Sequence, residues 1–264
     1  MINVSIVLYN TAFEEIELLV QTLRKSHIVT NIYLVDNSSV RNAGFESLNA
    51  IYIFNNQNLG YGAAHNIALR KTIDQQIDYH LVVNPDISFD PQILDSIVEF
   101  MNKNTEIGHL MPKVFYPDGQ IQYLCKLLPS PFDLIFRRFL PAGWSEKRAR
   151  KFEMRDSGYN KIMDVPYLSG CFMFLRIRAL KEVGLFDERF FMYPEDIDLT
   201  RRIYQKYRTV FYPEVSIIHH HAHDSYKSYR MLWIHISNMV KYFNKWGWFF
   251  DSERNKINNL IGKN

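Results

Sequence analysis

Three groups of residues have side chains and spacings able to do chemistry. The first is Asn84, Pro85 and Asp86, which close the apolar run YHLVVN. In an extended chain the side chains of positions 84 and 86 share one face. Hard divalent cations take oxygen ligands, and Mg2+ in particular binds through one or two carboxylates plus substrate phosphates. Asn, Pro and Asp also favour turns, so the triplet alone reads equally as a turn. The second group is Glu195, Asp196 and Asp198, within FDERFFMYPEDIDLTRR. Carboxylates in a first helical turn are ordinary dipole partners contributing ~0.3–1 kcal/mol each. Here Phe190, Phe191 and Tyr193 precede them, an aromatic wall that can shield one carboxylate from water and make it a better base. The third group is His219, His220, His221 and His223, in SIIHHHAHDS. Four histidines in five positions at a strand end invite a metal reading. Strand alternation puts His219 and His221 on one face and His220 on the other, so at most one or two serve a single ion.

A fourth segment, NQNLGYGAAHNIAL, carries Asn58, Gly60 and Gly62 into a helix that holds Asn66. Glycine before a helix permits close backbone approach of a ligand, and the helix N-terminus favours a phosphate. The same residues also read as a glycine-assisted turn. The third glycine of a dinucleotide fingerprint is missing.

The elements that must position these groups alternate strand and helix from residue 3 to about 110. NVSIVLY, NIYLVDN, AIYIFN and YHLVVN are β-rich runs. Helical spacing covers residues 13 to 26 and about Tyr61 to Gln75, and another helix opens near Pro91, with Asp90 as its expected N-cap. Such a βαβ series implies a largely parallel sheet, whose ligands bind beyond the carboxyl ends of the strands. Polar residues cluster there: Tyr9 and Asn10, Asp36 and Asn37, Asn84 and Asp86. After GHLMPKVFY the pattern degrades over about 120–165 into an irregular insertion ending in the basic run EKRARK. It returns in YLSGCFMFLRIRALKEVG, a loop and helix, and the strand region RTVFYPEVSIIHHH. From 225 the tail reads as helical and aromatic.

Composition bounds the class. With 264 residues, 47% hydrophobic and 22% charged, the chain is an ordinary globular one with length for a sizeable core. A net charge of +3 is too mild to argue for nucleic acid. Cys125 and Cys171 stand in no metal or redox spacing. MINVSIVLYN reads as a first strand rather than a signal peptide, and no apolar run approaches the ~20 residues that cross a bilayer. A cytoplasmic location is expected.

In this order the segments resemble the family 2 glycosyltransferases of the GT-A fold, especially their bacterial rhamnosyltransferase-like branch. The matching text is SIVLYN, VDNSS, NLGYGAAHN, VVNPDI, YLSGCFMFLRIRALKEVGLFDERFFMYPEDIDLTRRI and YPEVSIIHHHAHDS, spanning about residues 3 to 225. The resemblance implies an α/β, Rossmann-like, mostly parallel sheet flanked by helices. It implies a catalytic domain over 1–224, with a nucleotide-binding half over 1–112 and an acceptor half over 113–224, followed by a helical extension over 225–264. It further implies metal-dependent, inverting transfer of a sugar from a nucleotide-sugar donor to a hydroxyl of a glycan or polyprenyl-diphosphate-linked saccharide, in cell-surface polysaccharide synthesis. The branch favours dTDP-L-rhamnose, with UDP-hexoses as the alternative donors.

On matching positions, Tyr9, Asn10, Asp36 and Asn37 look like base and ribose contacts, with Asn58, Gly60 and Asn66 near the nucleotide. Asn84 and Asp86 stand where the family has its DxD motif, with Asn in place of the first Asp, which leaves Asp86 as the clear ligand for Mg2+ or Mn2+. His219, six residues after Pro213, matches a second metal ligand, with His220 and His221 as alternatives. Asp196 occupies the catalytic-base position of the family's ED motif, Glu195 would orient the acceptor or hold the loop, and Ser169 and Gly170 line the donor sugar and acceptor side.

The chain has 16 Tyr and 19 Phe, and candidate locations for part of this aromatic excess are PSPFDLIFRRFLPAGW and YRMLWIHISNMVKYFNKWGWFF. Aromatics mixed with Lys and Arg suit a membrane interface, so a peripheral position on the inner face of the cytoplasmic membrane is one expectation. Packing on the catalytic domain or on a second subunit is the other. A nucleotidyltransferase would carry a Gly-rich, basic loop near the N-terminus, and SIVLYNTAFEE has none. A catalytically silent sugar-binding relative remains a competing class, against which stands the presence of every expected acidic position.

Overall fold

The computed structural model describes residues 1–135, 142–220 and 229–261. The first half runs β1 (Ile2–Leu8), α1 (Phe13–Arg24), β2 (Val29–Asp36), β3 (Ile51–Phe54), α2 (Tyr61–Asp74), β4 (Tyr79–Val83), β5 (Ile87–Ser88), α3 (Ile93–Lys103) and β6 (Ile107–Phe115). The second half runs β7 (Cys125–Lys126), α4 (Pro131–Leu134), α5 (Ala142–Phe152), β8 (Met163–Asp164), β9 (Tyr167–Leu168), β10 (Phe172–Arg176), α6 (Ile177–Val183), α7 (Glu195–Tyr204), β11 (Arg208–His219), α8 (Tyr229–Trp246) and α9 (Ser252–Ile261).

The main sheet has the order β3-β2-β1-β4-β10-β6-β11-β5, with β8 pairing β11 at the side. β3, β2, β1 and β4 are mutually parallel, and β10 lies antiparallel between β4 and β6. The strands are apolar because both faces are covered: Val4, Ile6, Leu8, Leu81 and Val83 are buried, and α1 presses Ile16, Leu19, Val20 and Leu23 onto the sheet at helical spacing. The chain leaves β1 toward β2 and β3, then returns to place β4 on the other side of β1. That reversal opens a crevice beyond the strand ends, where Tyr9, Asn37 and Asn84 emerge.

β11 is long, and its pairing with β6 slips between Tyr212 and Ser216, around Pro213. Proline gives no ladder donor, so it belongs at such an irregularity. Beyond it, β11 continues to pair with β5, setting His219 opposite Ile87, and the His220 N–H donates to Asp86 O at 2.9 Å. The slip carries the histidines to the end of β4.

Two expectations are corrected. The 120–165 segment is not wholly irregular: its basic run lies on helix α5, which the sequence hides because among its described side chains only Ala149 and Phe152 are buried. Asp90 is not the cap of α3. The cap is Gln92, and Asp90 Oδ1 accepts the Gln92 N–H at 2.9 Å in the turn before it.

The C-terminal helices pack on the second half of the molecule. Met239, Tyr242 and Phe243 join Tyr167, Phe190 and Ile197 in one core cluster. Buried polar bonds reinforce it. Arg201 pairs with Asp251 through both nitrogens at 2.7 and 2.8 Å and stacks on Trp246, while Asp198 accepts from Lys245 and from Trp246 Nε1. Much of the aromatic excess is therefore core. Among the described residues no helix is long and apolar enough to cross a membrane.

Candidate active site

Asp86 follows β4, and His219 ends β11. Their side chains meet with His219 Nε2 3.3 Å from Asp86 Oδ2. The neighbouring Gln122 fixes the imidazole. Its Nε2 donates to the His219 carbonyl at 2.9 Å, which leaves its Oε1 as the acceptor 2.9 Å from His219 Nδ1. Nδ1 therefore carries a ring proton, and Nε2 faces the carboxylate. A buried imidazole and a carboxylate converging in this way fit a divalent cation, as does an oriented ring whose far nitrogen is hydrogen-bonded. No cluster of three or more His, Cys, Asp or Glu suited to a metal occurs among the described residues, so two protein ligands leave room for phosphate oxygens and water.

His220 is not an alternative ligand here. It points to the other face, where its Nε2 lies 2.9 Å from Ser88 Oγ. His221 and His223 lie outside the described residues.

The acidic group splits by role. Asp198 is fully buried and paired with Arg202, Lys245 and Trp246, so it holds α7 to its neighbours. Asp196 is 8% exposed, and each of its oxygens accepts one backbone N–H, from Gly170 at 2.9 Å and Ile197 at 2.7 Å. Burial raises its pKa to about 6, against those bonds and the charge of Lys126. Glu195 is 4% exposed, and its Oε2 is buried without a hydrogen-bond partner among the described residues. Burial, then the neighbouring Asp196 charge, pushes Glu195 well above the usual carboxylate range. Burial thus raises both carboxyls of the pair above their ordinary range.

Tyr61, which the sequence reading did not single out, joins the two ends of the site. Its hydroxyl lies 2.7 Å from Gly170 O and 3.1 Å from Asn84 Oδ1, linking the strand end before Asp86 to the turn that binds Asp196. Its ring meets His65 edge-on at 4.4 Å. Below it a buried chain connects His65 to Ser5, Ser5 to His80 and His80 to Thr72 at 2.7, 2.8 and 2.7 Å. Burial keeps both histidines neutral. Ser169 lies half-buried beside this turn and hydrogen-bonds the Cys171 thiol, which burial pushes up to about 12. Lys126 on β7 sits over the Tyr167 ring at 5.2 Å, on the Asp196 side.

At the other strand ends, Tyr9 and Asn10 are exposed, and Asn10 takes the left-handed conformation with φ 53°. Asp36 and Asn37, at the end of the neighbouring strand β2, are 1% and 2% exposed. Asp36 accepts from Ser38 N and the Tyr52 hydroxyl, and the Asn37 amide ties Asn55 to Asn58 and Gly60.

Packing alone already requires glycine in this segment. A Cβ on Gly60, at φ +86°, would fall 2.3 Å from Phe191 O, and one on Gly62 would fall 2.8 Å from Phe186 Cβ. Asn66 belongs to the same joint. It is 1% exposed, donates to Phe186 O and Glu188 Oε1 at 2.9 Å each and accepts from Phe186 N at 3.1 Å. Both of its amide protons are used inside the protein, which corrects the expectation of a nucleotide contact. Together these residues seat the 186–191 loop that leads into Glu195.

Comparison with known proteins accords with this geometry. Residues 4–184 match the family model described as glycosyl transferase family 2. Over 177 residues, 64% of this chain, the sequence is 28% identical to an N-acetylglucosaminyl-diphospho-decaprenol L-rhamnosyltransferase of Mycobacterium tuberculosis. The match spans 58% of that relative's length. Among solved structures, TarS of S. aureus superposes with a TM-score of 0.59 at 16% identity, over 97% of this chain and 42% of TarS. A mannosyltransferase from Pyrobaculum calidifontis, in complex with GDP-Man and Mn2+, gives 0.56 at 14%, over 91% of this chain and 64% of that one. At such identities the likeness is one of fold, and the GT-A architecture expected from the sequence is the one present.

Proposed function

The chain belongs to glycosyl transferase family 2, and from that premise we propose that it transfers L-rhamnose from dTDP-L-rhamnose, with inversion, to a hydroxyl of a polyprenyl-diphosphate-linked saccharide. The donor sugar and acceptor class rest on the mycobacterial relative's stated activity. The observation that carries the catalytic reading is the approach of His219 Nε2 to Asp86 Oδ2, at one end of a crevice whose other end holds the Glu195–Asp196 pair. Residues 1–112 supply the donor side, and 113–224 supply the acceptor side.

Asp86 and His219 hold Mn2+ or Mg2+ in this reading, and a cation held there offsets the charge that grows on the departing diphosphate. The remaining work belongs to the chain. Tyr9 and Asn10, with Asp36 and Asn37 beside them, receive the base and ribose, and Asn84 and Ser169 face the sugar. Asp196, ionised above about pH 6, accepts the proton of the acceptor hydroxyl. The acceptor oxygen then bonds to the anomeric carbon as the bond to the diphosphate breaks on the opposite face. Glu195 stays protonated and offers a hydrogen bond to the acceptor. One base and one leaving group suffice for inversion, and no covalent sugar–enzyme step is needed.

A thermal-shift panel of dTDP-L-rhamnose, UDP-hexoses and GDP-mannose, each with Mn2+, tests the donor. The largest stabilisation is expected for dTDP-L-rhamnose, and a preference for a UDP-hexose would replace that donor while leaving the catalytic roles in place.

A further inference from the structure

The turn between α8 and α9 holds two phenylalanines out in water: Phe249 is 70% exposed and Phe250 is 97% exposed. The backbone that presents them is pinned at several points. Gly247 takes φ +98°, and a Cβ there would fall 2.8 Å from Phe250 O, so the chain doubles back tightly. The Gly247 N–H donates to Phe243 O at 2.8 Å. The buried Arg254 guanidinium donates to Trp248 O and Phe249 O at 3.2 and 3.3 Å. Next to the tip, Asp251 makes its bidentate pair with Arg201, the two side chains being 3% and 2% exposed. Trp248 turns inward onto Phe243, with ring centroids 5.3 Å apart. A loose loop would let the two rings fold onto the protein; this one keeps them apart from it.

We propose that the Phe249–Phe250 tip inserts into the interfacial layer of a lipid bilayer, and that the Arg201–Asp251 pair fixes it to α7, the helix that carries Glu195 and Asp196. The size of the tip selects this partner. Two phenylalanine rings bury roughly 150–250 Å² each, well below the ~800 Å² per side of a stable protein interface. The adjoining exposed positions Ser252, Asn255 and Lys256 are polar and do not extend the apolar area. A lipid surface needs no such area, since each ring gains independently on leaving water. The tip carries no charge, so insertion does not require anionic headgroups. The inference is independent of the donor and acceptor proposed above.

The test is flotation of the full chain with phosphatidylcholine vesicles, with and without phosphatidylglycerol, comparing the protein with its Phe249→Ser/Phe250→Ser variant. The protein is expected to float with both kinds of vesicle. The variant is expected to partition roughly tenfold less or weaker still, with a melting temperature changed little because both residues are mostly exposed. The proposal is overturned if the protein stays at the bottom of the gradient, or if the variant floats equally well. A concentration-dependent dimer that only the unsubstituted protein forms would overturn it in favour of a second copy of the chain.

Discussion

His219 turns Nε2 toward the Asp86 carboxylate at 3.3 Å, because Gln122 holds its Nδ1 proton and the His219 carbonyl holds the Gln122 amide. An imidazole nitrogen and a carboxylate oxygen converging in this way fit a divalent cation between them. Gln122 came from the irregular stretch after β6, where no sequence signal marked it.

Gln122→Leu should therefore weaken Mn2+-dependent binding of a nucleoside diphosphate about 10- to 100-fold, and Asp86→Asn should weaken it at least as much. Titration calorimetry with and without Mn2+ checks this. Equal affinity in the three proteins would remove the metal role from the pair.

The two adjacent carboxyls should respond differently to amide substitution. Glu195→Gln copies the protonated acid and should keep kcat within about tenfold, whereas Asp196→Asn should lower it about 10²- to 10⁴-fold. The acid limb of the kcat/KM profile should fall as pH drops through about 6, where Asp196 takes up its proton. Steady-state rates from pH 5 to 9 decide it, and a variant pattern with the two roles exchanged would make Glu195 the base.

Stability carries the opposite sign. A carboxyl whose folded value is raised above its unfolded value, about 4.3 for Glu, stabilises the fold below the unfolded value and loses that contribution as pH rises through the folded one. Glu195 is such a group. Glu195→Gln does not titrate, so its melting temperature should gain on the unsubstituted protein with rising pH. A gap that closes with rising pH would contradict the burial account.

Tyr61→Phe removes the hydroxyl shared by Asn84 and Gly170. The loss is ~1–3 kcal/mol of alignment, read mainly in kcat because neither partner is a metal ligand. Unchanged kcat with a lower donor affinity would place Tyr61 in binding instead.

Arg201→Met leaves Asp251 as a buried charge with its main partner gone, at a cost of about 3–5 kcal/mol, while Arg201→Met/Asp251→Leu should recover most of that. Urea unfolding measures both. A single variant as stable as the double would mean that the pair contributes little to holding the C-terminal helices on α7.

The strands and helices of the first half were legible because both faces of the sheet are covered and the apolar periodicity is clean, as α1 and β4 illustrate. Asp86, Asp196 and His219 were legible as residue types at element ends. What the sequence hid were contacts made across long separations. Asn66 reads as a ligand residue until its amide is found spent on Phe186, 120 positions away, and the packing of Gly60 against Phe191 is likewise a contact across a long separation. Tyr61 stood in a quoted motif, yet its role depends on Gly170, which only the fold brings near. Helix α5 shows too narrow a buried face to display a period.

The most direct test of the central claim is a transfer assay. Purified chain, dTDP-L-rhamnose, Mn2+ and a short polyprenyl-diphosphate N-acetylglucosamine are combined, and products are read by mass spectrometry for the unsubstituted protein, Asp86→Asn and Asp196→Asn. Acceptor gaining one deoxyhexose with the first, and little or none with the two variants, is the predicted result. Transfer that survives Asp196→Asn at an undiminished rate would contradict the assignment of this site.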